Sequence, residues 1–244
     1  MQWCSSRPYR DDLFRRRYEP HVARINKLVD RLRAEHPERF IPYVAPTYGG
    51  ENARVLALLQ DPGPKTNPEN MNGSGMLCIE NVDGSAERYK MFLAKYGIDV
   101  CDIQAWNAFP WYATTSQKYG SDGTASYSPA DLDDATQALA ELVYRLPRLR
   151  AVLLHGLVAR DAWARLDALR PNLTEGVVPI PSWHTSPKVV DPATKSKAQI
   201  DRFTGELDKS FADAANVLRD PSQDYSAGPL VSYRTSLWDV GGTN

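Results

Sequence analysis

Four polar clusters, each directly after an apolar run, carry the residue types that could do chemistry. Gln60-Asp61-Pro62-Gly63-Pro64 ends the run Val55-Leu56-Ala57-Leu58-Leu59. An Asp before Pro-Gly-Pro is a common turn former. Fixed on a rigid loop, its carboxylate could instead orient a water or stabilise a developing positive charge. Asn107 stands among Trp106, Phe109 and Trp111. It either caps a turn or reads the edge of a pyrimidine, since its amide offers a donor and an acceptor and the aromatics could stack. His155-Gly156 closes a third run, as a tight turn or as a further ligand contact. His184 follows Trp183 and precedes Thr185-Ser186-Pro187. It is either structural or a donor to an anion forming on a leaving group. Ser186, Pro187 and Lys188 make a rigid step into basic sequence, where serine could bind a phosphate and lysine neutralise it. Lys195, Lys197 and Arg202 extend that positive stretch, although a solvated helix face would carry the same charges.

The elements that must hold these clusters alternate. A helix is expected over 21–35, with Val22, Ile25, Leu28 and Leu32 on one face. The run 55–59 reads as a strand broken by its Pro-Gly-Pro. Residues 65–84 read as a long structured loop around the short insert Met76-Leu77-Cys78-Ile79, followed by a helix over 85–96 that buries Ala86, Tyr89 and Phe92 or Leu93. Strands are expected over 100–105, 151–154 and 177–180, and helices after Ser128, over 157–169 and over 195–218. Ser128, Pro129 and Asp131 suit N-cap, N1 and N3, and Leu132, Ala135, Leu139 and Leu142 give that helix its stripe. Residues 113–127 read as a surface loop. The tail after 218 reads as irregular, with Leu237 and Trp238 able to tack it down. Strand–helix alternation predicts an α/β fold: three layers, α/β/α, around a mostly parallel four-stranded sheet. In such sheets ligands bind at the carboxyl ends of the strands, and every polar cluster above follows a strand.

Composition sets outer bounds. The 244 residues suffice for one domain with a sizeable core. The expected arrangement is a single domain over 1–244, its core at about 40–218, with an N-terminal helical extension and an irregular C-terminal tail. Apolar residues are 42% and charged residues 24%, ordinary for a globular chain. No apolar run approaches membrane-spanning length and the N-terminus lacks a signal-peptide core, so no membrane partner is expected and the cytoplasm is the expected compartment. Three separated cysteines and four scattered histidines form no metal motif; no metal and no cofactor are expected. The net charge of −1 leaves DNA binding to a local basic face.

Taken together, these clusters resemble the uracil-DNA glycosylase superfamily. Leu59-Gln60-Asp61-Pro62-Gly63-Pro64 is similar to its water-activating motif, Trp106-Asn107-Ala108-Phe109-Pro110 to the strand end that reads uracil, and Leu153-Leu154-His155-Gly156 to its third strand. His184-Thr185-Ser186-Pro187 is similar to its His-x-Ser-Pro motif. All four stand in family order, over roughly residues 50–200. The resemblance implies a uracil-DNA glycosylase-like fold of a branch without iron–sulfur clusters. It implies a monomeric enzyme of base-excision repair that hydrolyses the N-glycosidic bond of uracil, or of another altered base, in DNA. Asp61 and His184 would be catalytic. Gln60, Pro62, Gly63, Met76, Leu77, Cys78 and Asn107 would hold the base, and Ser186, Pro187, Lys188 and Val189 the DNA. The chain departs from the common pattern in three places. Gly63 replaces a tyrosine that excludes the thymine methyl group, as in the mismatch-specific and single-strand-selective branches. Residues 75–79 lack the stacking aromatic. Lys188 and Val189 stand where an intercalating leucine would be.

Two other readings remain. One is a non-catalytic or covalent uracil-DNA-binding protein on the same fold. The other is a nucleoside or ester hydrolase, although no Gly-x-Ser-x-Gly elbow is present.

Overall fold

The computed structural model describes residues 3–112 and 127–220. The loop expected at 113–127 and the tail with Leu237 and Trp238 lie almost wholly outside those residues. Four strands make the main sheet: β2 (Val55–Leu59), β4 (Ile103–Asn107), β5 (Ala151–His155) and β6 (Val178–Ser182). Their order is β4-β2-β5-β6, with every neighbouring pair parallel. All but one residue of β2, β4 and β5 are buried, which is why β2 and the first four residues of β5 are continuously apolar rather than alternating, while β4 also buries the polar Gln104 and Asn107. Helices cover both faces, giving the three layers α/β/α.

The helices are α1 (Arg7–Arg15), α2 (Pro20–Glu35), α3 (Gly84–Tyr96), α4 (Pro129–Tyr144), α5 (Leu157–Leu169), the single turn α6 (Pro171–Thr174) and α7 (Lys197–Arg219). α3 and α7 pack together on one side, while α2, α4 and α5 pack in succession. Start signals work as expected at α4, where Ser128 and Asp131 form a reciprocal capping box. Ser196 and Gln199 do the same for α7. α2 buries Val22, Ile25, Leu28 and Leu32 as expected, together with Asn26 and Val29. Leu13 and Cys4 are fully enclosed too, so the N-terminal helices share the main apolar cluster.

Several expectations need correction. The second strand is not 100–105: Asp99 caps a 3-10 turn at Val100–Asp102, accepting from the Cys101 N–H at 2.9 Å, and pairing starts only at Ile103. The last strand does not stop before Pro181. β6 is an edge strand whose Val178 N–H donates to the Arg150 carbonyl at 2.8 Å. Pro179 and Pro181 alternate with it and face away from β5, where no N–H is needed. Leu132 is 37% exposed rather than part of the α4 stripe, because it lies in the first turn, ahead of the buried Ala135, Ala138, Leu139, Leu142 and Val143. The stretch 65–84 is not all loop. Met76–Leu77 forms β3, parallel to β1 (Tyr43–Val44) in a separate two-stranded sheet. Two residues are too short for a periodicity signal.

The amino end of the main sheet is tied by charge. Arg54, just before β2, makes a two-pronged bond to Asp102, just before β4, at 2.6 and 2.8 Å. The carbonyl of Arg54 also accepts from the N–H groups of Arg150 and Ala151, which fixes β5 against the other side of β2.

Leu58 in β2 is fully buried. Leu58→Ala should therefore cost about 2–5 kcal/mol through lost transfer energy and the cavity left behind. The expected result is a lower urea midpoint with an unchanged m-value; a loss below about 1 kcal/mol would show that the layer collapses onto the gap.

Candidate functional site

Parallel pairing brings the strand ends to one edge. Leu59 lies opposite Asn107, Leu58 opposite Leu154, and His155 opposite Ser182. Running along that edge, the chain presents Asn107, then the Gln60–Asp61 turn, then His155, then the segment from Ser182 to His184. The strand order reverses direction between β2 and β5, which is where open α/β sheets form their ligand crevice.

The first two loops are laced together. The Ala108 N–H donates to the Leu59 carbonyl at 2.7 Å, and the Phe109 N–H to the Gln60 carbonyl at 2.9 Å. Pro62 is buried and Asp61 is half-buried. Gly63 has extended backbone, φ −76° and ψ 165°, and a Cβ built there would meet nothing within 4 Å. Its lack of a side chain is therefore not forced by packing. Asn107 is 2% exposed, and its side-chain nitrogen has no partner among the described residues. A buried donor without an acceptor costs roughly 1–3 kcal/mol. Trp106 Nε1 and Gln104 Oε1 share that condition, but Asn107 alone of the three is the last residue of its strand, at the carboxyl edge. Phe109, 4% exposed, stacks on Tyr127 with centroids 3.5 Å apart and planes 9° from parallel.

The third loop is the most constrained part of the edge. Ser186 N–H donates to His184 Nδ1 at 2.8 Å. A nitrogen that accepts has no proton, so the neutral ring carries its hydrogen on Nε2, which has no acceptor among the described residues. Burial pushes the His184 pKa down to about 4, and the nearby Arg88 guanidinium adds repulsion. Arg88, from α3, donates to the carbonyls of Ser186 at 3.1 Å and Thr185 at 3.4 Å. Pro187 packs so closely on the start of α3 that a Cβ at Gly84 would come within 2.5 Å of its Cγ. The Trp183 indole N–H bonds Glu206 of α7, and its ring lies 4.3 Å from that of Phe203.

His155 is not at the surface of the crevice. It is 1% exposed, with its ring set edge-on to Tyr89 and 6.1 Å from Phe211. Its Nδ1 lies 3.0 Å from the Trp183 carbonyl. A carbonyl can only accept, so Nδ1 carries the proton and Nε2 is a bare, buried acceptor with no partner among the described residues. Burial lowers its pKa to about 4 as well, with His184 contributing repulsion. His155 thus holds the peptide ahead of His184.

The remaining expected site residues divide. Met76 is fully enclosed in the core, Leu77 and Cys78 are 8% and 5% exposed, and the Cys78 sulfur faces Cys4. Ser186 caps the short turn Pro187–Val190. Lys188 is exposed and Val189 half-buried. Arg202 is paired with Glu206 at 2.7 Å, whereas Lys188, Lys195 and Lys197 make no ion pair among the described residues. Sequence reasoning missed Arg88, because an arginine within a helix gives no local sign of which loop it reaches. Among the described residues no group of three or more His, Cys, Asp or Glu side chains could hold a metal ion. No helix among them is long and apolar enough to cross a membrane. No protein-family model matches the chain, and no curated protein matches it.

Two depressed histidine pKa values give a pH dependence with a definite sign. Between pH 4 and 6.5 the unfolded chain binds protons at His155 and His184 that the folded chain refuses. Stability therefore rises with pH through that window and is fully present above 6.5. For His155 the loss on acidification is on the order of 3 kcal/mol. Urea midpoints should fall from pH 6.5 to 4, less steeply in His155→Gln. Nitrogen-detected NMR should show protons on His155 Nδ1 and His184 Nε2 at pH 7; an imidazolium at either site at that pH would refute the assignment.

Proposed function

We propose that this protein is a DNA glycosylase of the uracil-DNA glycosylase type, with a fold of that kind, which hydrolyses the bond between a flipped base and its sugar. The observation that carries this reading is the neutral His184 ring, locked with its Nε2 proton free, on the same sheet edge as Asp61 and Asn107. A base inside the duplex stack is out of reach of any such edge, so the nucleotide must be extruded or single-stranded.

Each group then has one task. The unsatisfied amide nitrogen of Asn107 donates to a carbonyl on the base edge, which removes its desolvation cost. As the glycosidic bond breaks, its electron pair stays with the base and negative charge grows on the base oxygen. His184 Nε2–H donates to that oxygen; a neutral donor held in place needs no reorganisation when the charge appears. The Asp61 carboxylate stabilises the cationic sugar and orients the water that adds to it. Gln60 and Pro62 shape the turn, and Lys188 with the Ser186 cap meets the phosphates.

The deciding assay uses an end-labelled oligonucleotide containing one uracil, single- or double-stranded, followed by hot alkali. Strand scission at the uracil over many turnovers is expected. Tight binding with no scission in either form would favour a non-catalytic binding protein, and neither binding nor scission would end the reading. Asp61→Asn should keep the fold and lower the single-turnover rate by about 10²-fold or more; a rate within twofold of the parent removes Asp61 from the chemistry.

Substrate breadth follows from the space at Gly63. Without a side chain there, nothing on that loop rejects a substituent at pyrimidine C5, and one methyl group is worth only about 1–3 kcal/mol of discrimination. The protein should act on uracil and on at least one larger or deaminated base. Gly63→Tyr should keep uracil activity and reduce activity on 5-substituted uracil by roughly 10-fold or more; an identical substrate panel for parent and variant would show that another group sets the limit.

A further inference from the structure

Cys4 lies in a short 3-10 turn, Trp3–Ser5, ahead of α1, and Cys78 directly follows β3. Their sulfurs are 3.8 Å apart across 74 positions of sequence. The two backbones are held side by side: the Cys4 N–H donates to the Glu80 carbonyl at 3.3 Å. The Tyr9 hydroxyl of α1 donates to the Glu80 carboxylate, and Arg10 bonds the Cys4 carbonyl at 2.6 Å. Both thiols are enclosed, at 0% and 5% exposure, whereas Cys101 is exposed. A disulfide requires about 2.05 Å between sulfurs and neighbouring Cβ atoms. The two sulfurs are already in van der Waals contact, and the Cys4–Glu80 backbone hydrogen bond holds the two segments side by side, which places the pair for such a bond.

We propose that Cys4 and Cys78 are a paired oxidation site, converted by a peroxide into an intramolecular disulfide that staples the N-terminal segment to residues 76–81. The Cys4 thiolate attacks one peroxide oxygen and the O–O bond breaks. This leaves a sulfenic acid on Cys4 and releases hydroxide. The Cys78 sulfur then attacks the sulfenic sulfur, the S–O bond breaks, and the leaving hydroxide takes the Cys78 proton as water. Two thiols and one hydrogen peroxide give one disulfide and two waters, and the two electrons lost by sulfur reduce the peroxide.

The order of attack has a physical basis. The sulfur–sulfur contact with Cys78 lowers the Cys4 pKa against the effect of burial, with Arg10 and Lys90 adding positive potential. The same contact and burial push Cys78 up. The Arg10 guanidinium, bonded to the Cys4 carbonyl, puts positive charge on the Cys4 side of the pair, which makes Cys4 the first nucleophile and Cys78 the resolving thiol. The thiols lie outside the Asp61–Asn107–His184 edge, and the reaction is read without DNA, so this inference stands independently of the glycosylase reading.

The test uses the full chain with Cys101→Ser, which leaves two of the three cysteines. Treatment with hydrogen peroxide should remove two hydrogens by intact mass and take free thiols titrated in denaturant from two to none. Proteolysis without reductant should yield a linked Cys4–Cys78 peptide. The melting temperature should rise by roughly 5–15 °C, since the link closes a long loop in the unfolded chain, and a dithiol reductant should reverse every change. Cys4→Ser in the same background should abolish the linked peptide and the shift. Cys78→Ala, which keeps an apolar side chain in the core, should do likewise and gives the same comparison should either variant fold poorly. Two free thiols after treatment, sulfinic acid on Cys4 beside an unmodified Cys78, or links only between separate chains would each overturn the proposal.

Discussion

The parallel pairing of β2 with strands on both sides is the constraint on which the rest of the structure depends. A central strand must satisfy its backbone groups in two directions, and its side chains meet a helical layer above and below. Val55, Leu56, Ala57 and Leu58 are accordingly almost completely buried. Once β2 is fixed, its register with β4 and β5 decides which residues end together. A one-residue slip of β4 would turn every one of its side chains to the opposite face, taking Asn107 away from the Gln60–Asp61 turn. The Arg54–Asp102 pair and the twofold use of the Arg54 carbonyl hold that register from the amino end.

At the opposite end rigidity is supplied by hydrogen bonds rather than by apolar packing. The segment from Ser182 to Ser186 leaves the edge strand and cannot continue the ladder, so its carbonyls need other donors. Gly156 N–H and Arg160 reach the Ser182 carbonyl, His155 the Trp183 carbonyl, and Arg88 those of Thr185 and Ser186. These donors come from α3, from the end of β5 and from α5, so a single peptide segment integrates two helical layers. The cost is that two histidines and an arginine are partly or wholly withdrawn from water. Both imidazoles respond by staying neutral. Burial also makes the Arg88 guanidinium less basic than usual, yet it remains the cationic neighbour that disfavours an imidazolium at His184.

Buried polar atoms without a partner occur in the main sheet as well as outside it. Asn107 and His155 each retain a buried polar atom without a partner among the described residues. A sheet built for stability alone would end in apolar or fully paired side chains. Of the two, Asn107 is the last residue of β4, at the carboxyl edge where such sheets bind ligands, whereas the bare His155 nitrogen is enclosed among Tyr89 and Phe211.

The sequence by itself determined most of the fold. Continuous apolar runs marked β2 and β5, 3.6-residue periodicity marked α2, α3 and α4, and Ser128 supplied a helix start that needs only local geometry. It also located the polar clusters at strand ends, because a strand that meets Pro-Gly or a histidine loop has to stop there. The errors arose where local signals conflict with pairing. Prolines look like strand breakers unless the edge position of β6 is known, and a capped 3-10 turn resembles a strand start. What only tertiary structure decided is which polar groups meet across long separations. Arg88 bonding Thr185 and Ser186, His155 holding Trp183, and Cys4 facing Cys78 depend on how layers and registers close in three dimensions. No spacing along the chain encodes them, because a hydrogen bond between residues 97 positions apart forms only after the sheet has brought their backbones together.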